Sequence, residues 1–481
     1  MRRGTIGLLV ALAASGGATP ALAARDAELS MMDDQALLGT PAAEVDATLG
    51  QMAALGTDRI RVSAFWSDIA PAAQSTTEPA GFKPANPDDP GYNWTALDNA
   101  VSAAAARHLK VLISISTPIP LWASSNPALK NDVWEPKPLE FARFAHAVAL
   151  RYRTSADQFA LLNEPNQGAW LQPQSAGGKP VSPHLYRALV QAGYPAVKAA
   201  APSATVLVGE LASSGRDDRG TTRPIRPLEF LRTMACRDAR YRALRSGRCK
   251  GFRPVPLDAL GHHPYSLFLS PFQRSPDRDD AAMGDWRRLE QTLDRLVARK
   301  ALKPSGARRF PIYYTEFGYQ TDPPDPFAGI PLGRQSRWLQ DAAYVAWRTP
   351  RVAGLNQFRL TDGRIRGKGP LAFREFQSGL RFASGKRKPA LSAFPNPIVV
   401  RAGGRRGLLV WGQVRPALGP APVAIERRPP GARRFGRIAA VKTDSHGYFQ
   451  RRVARRPGSY RYRWALPDGR RGSSTTVSIR R

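Results

Sequence analysis

The sequence predicts an α/β fold: a closed (β/α)8 TIM barrel followed by a small antiparallel β-sandwich. Three observations point there. Apolar strand-like runs alternate with helical patterns over roughly the first four hundred residues, as in parallel strands joined by crossover helices. Glu164 and Glu316 each stand just past such a run, where a polar residue is costly unless it has partners or work. Past Phe394-Pro395-Asn396-Pro397 the helical patterns stop and short alternating runs take over.

The eight expected barrel strands are Ser30–Asp34, Arg59–Phe65, Lys110–Ile115, Gln158–Asn163, Thr205–Glu210, Ala259–His263, Pro311–Glu316 and Gly354–Leu360. Helices fall between them. Ala42 to Leu55 reads as the first crossover helix, ended by Gly56. Phe141, Phe144, Ala145, Val148 and Tyr152 share one helical face after Pro136 and Pro138, and Leu289, Leu293 and Leu296 do the same before strand seven. Long loops rich in Pro, Gly and Asp follow several strands, Ser67–Tyr92 and Tyr319–Gly333 among them, and build the walls of a cleft. In the last segment the runs are Leu408–Gln413, Val423–Arg427, Arg437–Thr443, Tyr448–Arg452, Ser459–Trp464 and Thr475–Ile479. Asp444-Ser445-His446-Gly447 reads as a hairpin turn. The reading divides the chain into residues 1–24, a barrel at 25–395 and a basic sandwich at 396–481.

The 481 residues begin with Arg2-Arg3, an apolar stretch from Ile6 to Ala14 and the small-residue site Ala21-Leu22-Ala23. That is the pattern of a cleaved signal peptide, so a secreted protein, extracellular or periplasmic and cell-wall-associated, is expected. No later run is long enough to span a membrane. The two cysteines, Cys236 and Cys249, are then expected to close a short disulfide loop, worth about 3 kcal/mol in the chain-entropy model. Net charge is +33. Residues 396–481 carry 20 Lys and Arg against 3 Asp and Glu, a net +17. Such a balance suits an anionic partner, a cell-wall polymer above all, with a plainly solvated basic surface as the favoured alternative. The basic residues are scattered and no nucleic-acid module is visible, so no nucleic-acid partner is expected.

Glycosidic bond cleavage needs two carboxyls, one holding a proton for the departing oxygen and one attacking the sugar carbon. Glu164 lies in Leu161-Leu162-Asn163-Glu164-Pro165-Asn166, and Glu316 in Tyr314-Thr315-Glu316-Phe317-Gly318. Asn163-Glu164-Pro165 resembles the acid/base strand of glycoside hydrolase clan A, and Thr315-Glu316-Phe317-Gly318 its nucleophile strand, as in the cellulase-like family 5 and family 39 types. The resemblance implies that the motifs end barrel strands four and seven, with Glu164 as acid/base and Glu316 as nucleophile. It implies that Asn163 binds the sugar 2-hydroxyl. His263-Pro264-Tyr265 resembles the clan's His-x-Tyr segment, with Tyr265 donating to the nucleophile and His263 lining the subsite or tuning the acid. Arg61 resembles the arginine placed near the nucleophile, where a positive charge lowers the carboxyl's pKa; Arg59 is a neighbouring candidate. Glu164 is expected to start protonated and Glu316 charged.

Trp66, Trp122 and Trp170 follow strands two, three and four and are candidates for stacking on sugar rings, each with packing as the alternative. His262, Trp286, Trp338 and Trp347 read as core residues. The clan's tryptophan at the end of strand eight is missing, and Gln357 or Arg359 would face the site instead. Strand three, Ser114-Ile115-Ser116-Thr117, lacks the histidine of cellulase-like members. No cofactor and no metal are expected, because neither histidine has metal-ligand company. The function expected is a retaining β-glycosidase acting on a polysaccharide or oligosaccharide. The alternative is a non-catalytic carbohydrate- or cell-wall-binding barrel. A serine hydrolase is a weak third reading, since no Gly-x-Ser-x-Gly elbow occurs.

Overall fold

A computed structural model describes residues 26–404, 407–466 and 468–480. The signal-peptide stretch lies outside them. Eight parallel strands close a barrel: β1 (Glu28–Met32), β2 (Arg59–Phe65), β3 (Lys110–Ser116), β4 (Gln158–Leu161), β5 (Thr205–Ala212), β6 (Ala259–His263), β7 (Ile312–Tyr314) and β8 (Val352–Phe358). Each strand pairs with its neighbours in sequence, and β8 returns to β1 through Glu28↔Gly354. A helix follows every strand: α1 (Ala42–Ala54), α2 (Thr95–Ala105), α3 (Pro138–Tyr152), α4 (Ser182–Ala200), α5 (Pro227–Met234), α6 (Trp286–Ala298), α7 (Leu332–Arg348) and α8 (Pro389–Ala393). Strand one begins and ends two residues before the expected range. Expected strands four and seven run on to Asn163 and Glu316, but ladder pairing stops at Leu161 and Tyr314. The functional residues therefore lie in the loops just beyond the strands.

Alternate strand residues face opposite ways. Ile60, Val62 and Ala64 of β2, with Val111, Ile113 and Ile115 of β3, are buried with the apolar faces of the helices. The other face, toward the barrel axis, holds Leu112, Ala160, Leu207 and Ala259 in its middle, with Arg59 and Arg61 of β2 also buried. The helical periodicity is realised: Phe141, Phe144, Ala145, Val148 and Tyr152 of α3 are all buried. Gly193 of α4 lets that helix approach α3, since a Cβ there would lie 2.9 Å from the Phe141 ring. Gly56 ends α1 at φ +83°, a conformation costly for other residues.

Among the described residues the sandwich has eight strands: β9 (Ile398–Ala402), β10 (Gly407–Gln413), β11 (Pro422–Arg428), β12 (Gly436–Lys442), β13 (Tyr448–Ala454), β14 (Gly458–Ala465), β15 (Arg471–Ser473) and β16 (Val477–Ile479). One sheet runs β9-β10-β13. The other runs β12-β11-β14-β15, with β16 also on β14. Ile398, Val410, Ile425, Tyr460 and Tyr462 form its core. The turn at Asp444–Gly447 forms, with Gly447 N–H donating to Asp444 O at 3.1 Å. It carries the chain from one sheet to the other, however, and closes no hairpin, because β12 pairs β11 while β13 pairs β10. The barrel and sandwich pack through aromatics: Trp411 of β10 lies 5.4 Å from Tyr344 and 5.7 Å from Trp347 of α7, ring centre to ring centre. Trp347 thus belongs to the interdomain contact. Trp286 and Trp338 are only half-buried.

Candidate active site

Glu164 and Glu316 come together at the carboxyl ends of β4 and β7, the end of such a barrel where catalytic groups gather. One oxygen of each, together with a nitrogen of His263, lie within 4.8 Å of one another. Leu162 (φ +68°), Glu164 (φ +39°) and Glu210 (φ +49°) all hold left-handed backbone conformations, a strain that recurs at active sites. Above them opens a cavity of about 640 Å³, lined among others by Asp34, Phe65, Asn163, Glu164, Trp170, Tyr265, Glu316, Phe358 and Phe376.

Arg61 organises the floor. It is fully buried and donates to Glu316 Oε1 at 2.8 Å, to Asn163 Oδ1 at 2.7 Å, to Ser114 Oγ at 3.3 Å and to Glu210 Oε2. Of the Asn163 side chain, only the amide NH2 is left to meet a ligand. Tyr265 donates to Glu316 Oε2 at 2.9 Å. His263 Nδ1 lies 2.9 Å from Glu164 Oε1 and 3.7 Å from Glu316 Oε2. The serines that stand where strand three lacks a histidine join the network: Ser114 Oγ donates to Glu210 Oε2 at 3.0 Å, and Ser116 Oγ accepts the Asn163 N–H at 3.3 Å.

Burial and charge then decide protonation. Burial pushes the Glu316 carboxyl up, His263 and Arg61 pull it down, and Glu164 and Glu210 push it up again; the outcome is above the ordinary value. Arg61 lowers it as expected, but burial in the dry pocket outweighs that lowering. Glu210 is also raised by burial, but Arg61 and His263 more than offset this and hold it low. Burial disfavours charge on His263, yet Glu316, Glu164 and Glu210 outweigh it and raise its pKa. His262 is driven down to about 4, chiefly by burial, so it is a neutral core residue bonded to Ala281 O at 2.6 Å.

Three expected site residues lie elsewhere. Trp66 stacks on Phe144 at 5.2 Å behind the cavity wall and is almost fully buried. Trp122 packs edge-on against Trp66 at 6.0 Å and donates to Pro71 O at 3.1 Å. Both are core residues because their rings sit over apolar helix faces, which exclude a ligand. Gln357 is locked by donation to the carbonyls of Phe358, Arg359 and Ser378. The strand-eight residues on the cavity are Phe358 and Arg359, and Arg359 is held by Asp33 at 3.2 Å. Trp170 does line the cavity, parallel to Phe65 with ring centres 6.4 Å apart. His263 lies beneath Glu164 and is absent from the cavity wall. Cys236 and Cys249 are joined in a disulfide, with Cα atoms 5.7 Å apart.

Glu210 is the functional residue that the sequence reading missed. Leu207 faces the barrel axis, so simple alternation would turn residue 210 outward. A bulge between Gly209 and Leu211 re-aims it inward. The available signal was the one that picked out Glu164: a glutamate at the end of an apolar strand, here right after a glycine.

One imidazole and two carboxylates so close could also ligate a cation. Here those donors already serve one another, with Arg61 and Tyr265 on Glu316 and His263 on Glu164, so the residues fit proton chemistry better.

No family model matches this chain, and no curated protein matches it. Among solved structures it is similar to a family 39 glycoside hydrolase from Bacteroides cellulosilyticus WH2, at 15% identity over 90% of this chain and 81% of that one, with a TM-score of 0.49. It is also similar to a GH39 β-xylosidase from Caulobacter crescentus (16% identity, 84% and 83% covered, TM-score 0.47). A third is a GH5_18 protein from Streptomyces cattleya in complex with GlcNAc (16%, 76% and 78%, TM-score 0.46).

Proposed function

We propose that this chain is a secreted retaining glycoside hydrolase that cleaves β-glycosidic bonds of a polysaccharide or oligosaccharide by double displacement. The observation that carries the reading is the approach of Glu164 and Glu316 oxygens to within 4.8 Å. Carboxyls about 5–5.5 Å apart suit direct attack and a covalent intermediate, whereas inversion needs about 6.5–9.5 Å to admit a water.

In the first half-reaction the Glu316 carboxylate attacks the anomeric carbon while Glu164 gives its proton to the departing oxygen. In the second, Glu164 takes a proton from water, the water oxygen attacks the same carbon, and Glu316 leaves. Arg61 and Tyr265 fix both oxygens of Glu316 for this attack. The free N–H of Asn163 meets the 2-hydroxyl, and Trp170, Phe65, Phe358 and Phe376 offer apolar faces to sugar rings. The charged start and small-residue site before residue 25 support export. Among the described residues no helix is long and apolar enough to cross a membrane. On the sandwich, Arg437, Lys442, Arg463 and Arg471 border one groove that has Glu426 as its acid, which suits an anionic cell-wall polymer.

The test is a panel of aryl β-glycosides with mass-spectrometric mapping of a 2-deoxy-2-fluoro glycoside adduct. The expected result is a label on Glu316, product of retained configuration, and turnover lowered about 10⁴-fold or more by Glu316→Ala. Zero turnover by wild type and variant alike, with glycan binding kept, would identify a binding protein instead.

A further inference from the structure

Glu210 lies in the site but takes no part in the double displacement. It is fully buried on the bulge of β5, and Arg61 and Ser114 hold its Oε2. Its Oε1 has no partner in full hydrogen-bond geometry, although the Thr315 hydroxyl is near enough to help keep the carboxyl ionised, and Nε2 of His263 has none either. These two orphaned atoms face each other at 3.9 Å. On its other side His263 presents Nδ1 to Glu164 Oε1 at 2.9 Å. The charged groups around the imidazole are Glu164 from the β4 end, Glu210 from β5, Glu316 from the β7 end and Arg61 from β2; His262 beside it is neutral.

A carboxylate held ionised by a guanidinium can only accept. Nε2 can satisfy Glu210 only by carrying a hydrogen; a bare Nε2 would set two lone pairs against each other in a space closed to water. Nδ1 must then share whatever proton lies between it and Glu164. We infer that Glu210 is a positioning residue that fixes the Nε2–H tautomer of His263, so that the acid/base proton is shared between Glu164 Oε1 and His263 Nδ1. Glu210 would act through the imidazole much as the buried aspartate of a serine-protease triad orients its histidine.

The kinetic consequence rests on the glycosidase reading; the tautomer does not. During leaving-group departure the shared proton passes from Glu164 Oε1 to the glycosidic oxygen. The attacking water restores it in the second half-reaction. Proton count is conserved, and Glu210 stays ionised throughout.

Glu210→Gln tests this. Arg61 is a pure donor, so it takes the amide oxygen and turns the NH2 toward Nε2. Nε2 then accepts, the ring hydrogen moves to Nδ1, and Glu164 becomes the acceptor, releasing its own proton to solvent through the cavity it lines. With an alkyl or unactivated phenyl leaving group, which needs the acid, kcat should fall about 10²- to 10⁴-fold. With 2,4-dinitrophenyl, which does not, the loss should stay within about 5-fold. Ring ¹⁵N spectra should show Nε2 protonated in the wild type and bare in the variant. Glu210→Asp, which keeps the carboxylate, should retain the Nε2–H signal; it also serves if the glutamine variant does not fold. Equal losses on both leaving groups, or a bare Nε2 in the wild type, would overturn the inference. If the wild type turns over no glycoside, the hydrolase reading fails, and the ring spectra still decide the tautomer.

Discussion

Arg59 and Arg61 stand two residues apart on β2, both side chains buried inside the barrel, yet they occupy different electrostatic worlds. Arg59, at the amino end, donates to Glu28 at 2.8 Å and to Asp157 at 2.9 Å, with Val111 O as a third acceptor at 3.1 Å. Asp157 is 56% exposed, and Lys110 adds a second cation. Two cations there answer two acids, and burial of Glu28 and Asp157 is outweighed by their partners, so both carboxyls lie below their ordinary values. At the carboxyl end Arg61 is shared by two nearly dry glutamates, and Glu316 ends above its ordinary value. The lower pole satisfies its charges; the upper pole leaves one acid incompletely compensated. That residual tension is what a group needs if it is to gain or lose a partner during a reaction.

Breaking the upper pole should have the largest effect. Arg61→Met leaves Glu210 and Glu316 buried without their cation, so urea unfolding should show a loss of about 3–5 kcal/mol. Turnover should fall about 10²-fold or more, because Asn163 and Glu316 lose their common donor. Arg59→Met should cost less, about 1–3 kcal/mol, with turnover nearly unchanged, since its acids can reach water. One molar salt, with a Debye length of about 3 Å, should narrow the gap between Arg59→Met and wild type and leave the Arg61→Met gap standing.

Smaller changes sharpen the contrast. Ser114→Ala removes the hydroxyl between Arg61 and Glu210 and should cost about 1 kcal/mol with no change at the lower pole. The two poles should also respond to pH with opposite sign. The lowered Glu28 and Asp157 contribute stability that is present above the ordinary carboxylate range and is lost as pH falls through their folded values. The raised Glu316 contributes stability that is present below the ordinary glutamate value and is lost as pH rises through its folded value. Glu316→Gln should therefore raise the melting temperature by about 1–2 °C at pH 7 and lose that advantage in acid, while abolishing turnover. In the wild type the acid limb of kcat/KM should lie above the ordinary glutamate pKa. A limb at or below it would mean that Arg61 does command Glu316.

Much of this architecture was legible before folding. β2 and β6 lie where the apolar runs placed them, since a strand buried between helices and barrel axis leaves little freedom in its pattern. The pairing of Glu164 with Glu316 was legible because each breaks an apolar run. Trp66 and Trp122 were ambiguous for a reason general to aromatics: a ring that can stack on sugar can equally stack on Phe144 or its neighbour, and only the surrounding helix faces choose. Gln357 was misjudged because its amide answers two backbone carbonyls at its own strand end and a third, that of Ser378, from a loop 21 residues downstream.

By itself, then, the order of apolar and polar residues determined the eight-stranded barrel, the sandwich behind it and the two acids at strand ends, because period and interruption are local properties. Tertiary structure decided the rest. The bulge at Gly209–Leu211 brought Glu210 to Arg61 and His263, and burial weighed against those two cations then set which carboxyl sits low and which sits high. Those outcomes depend on distances between strands that meet only when the barrel closes, and electrostatic energy in a dry interior depends steeply on such distances.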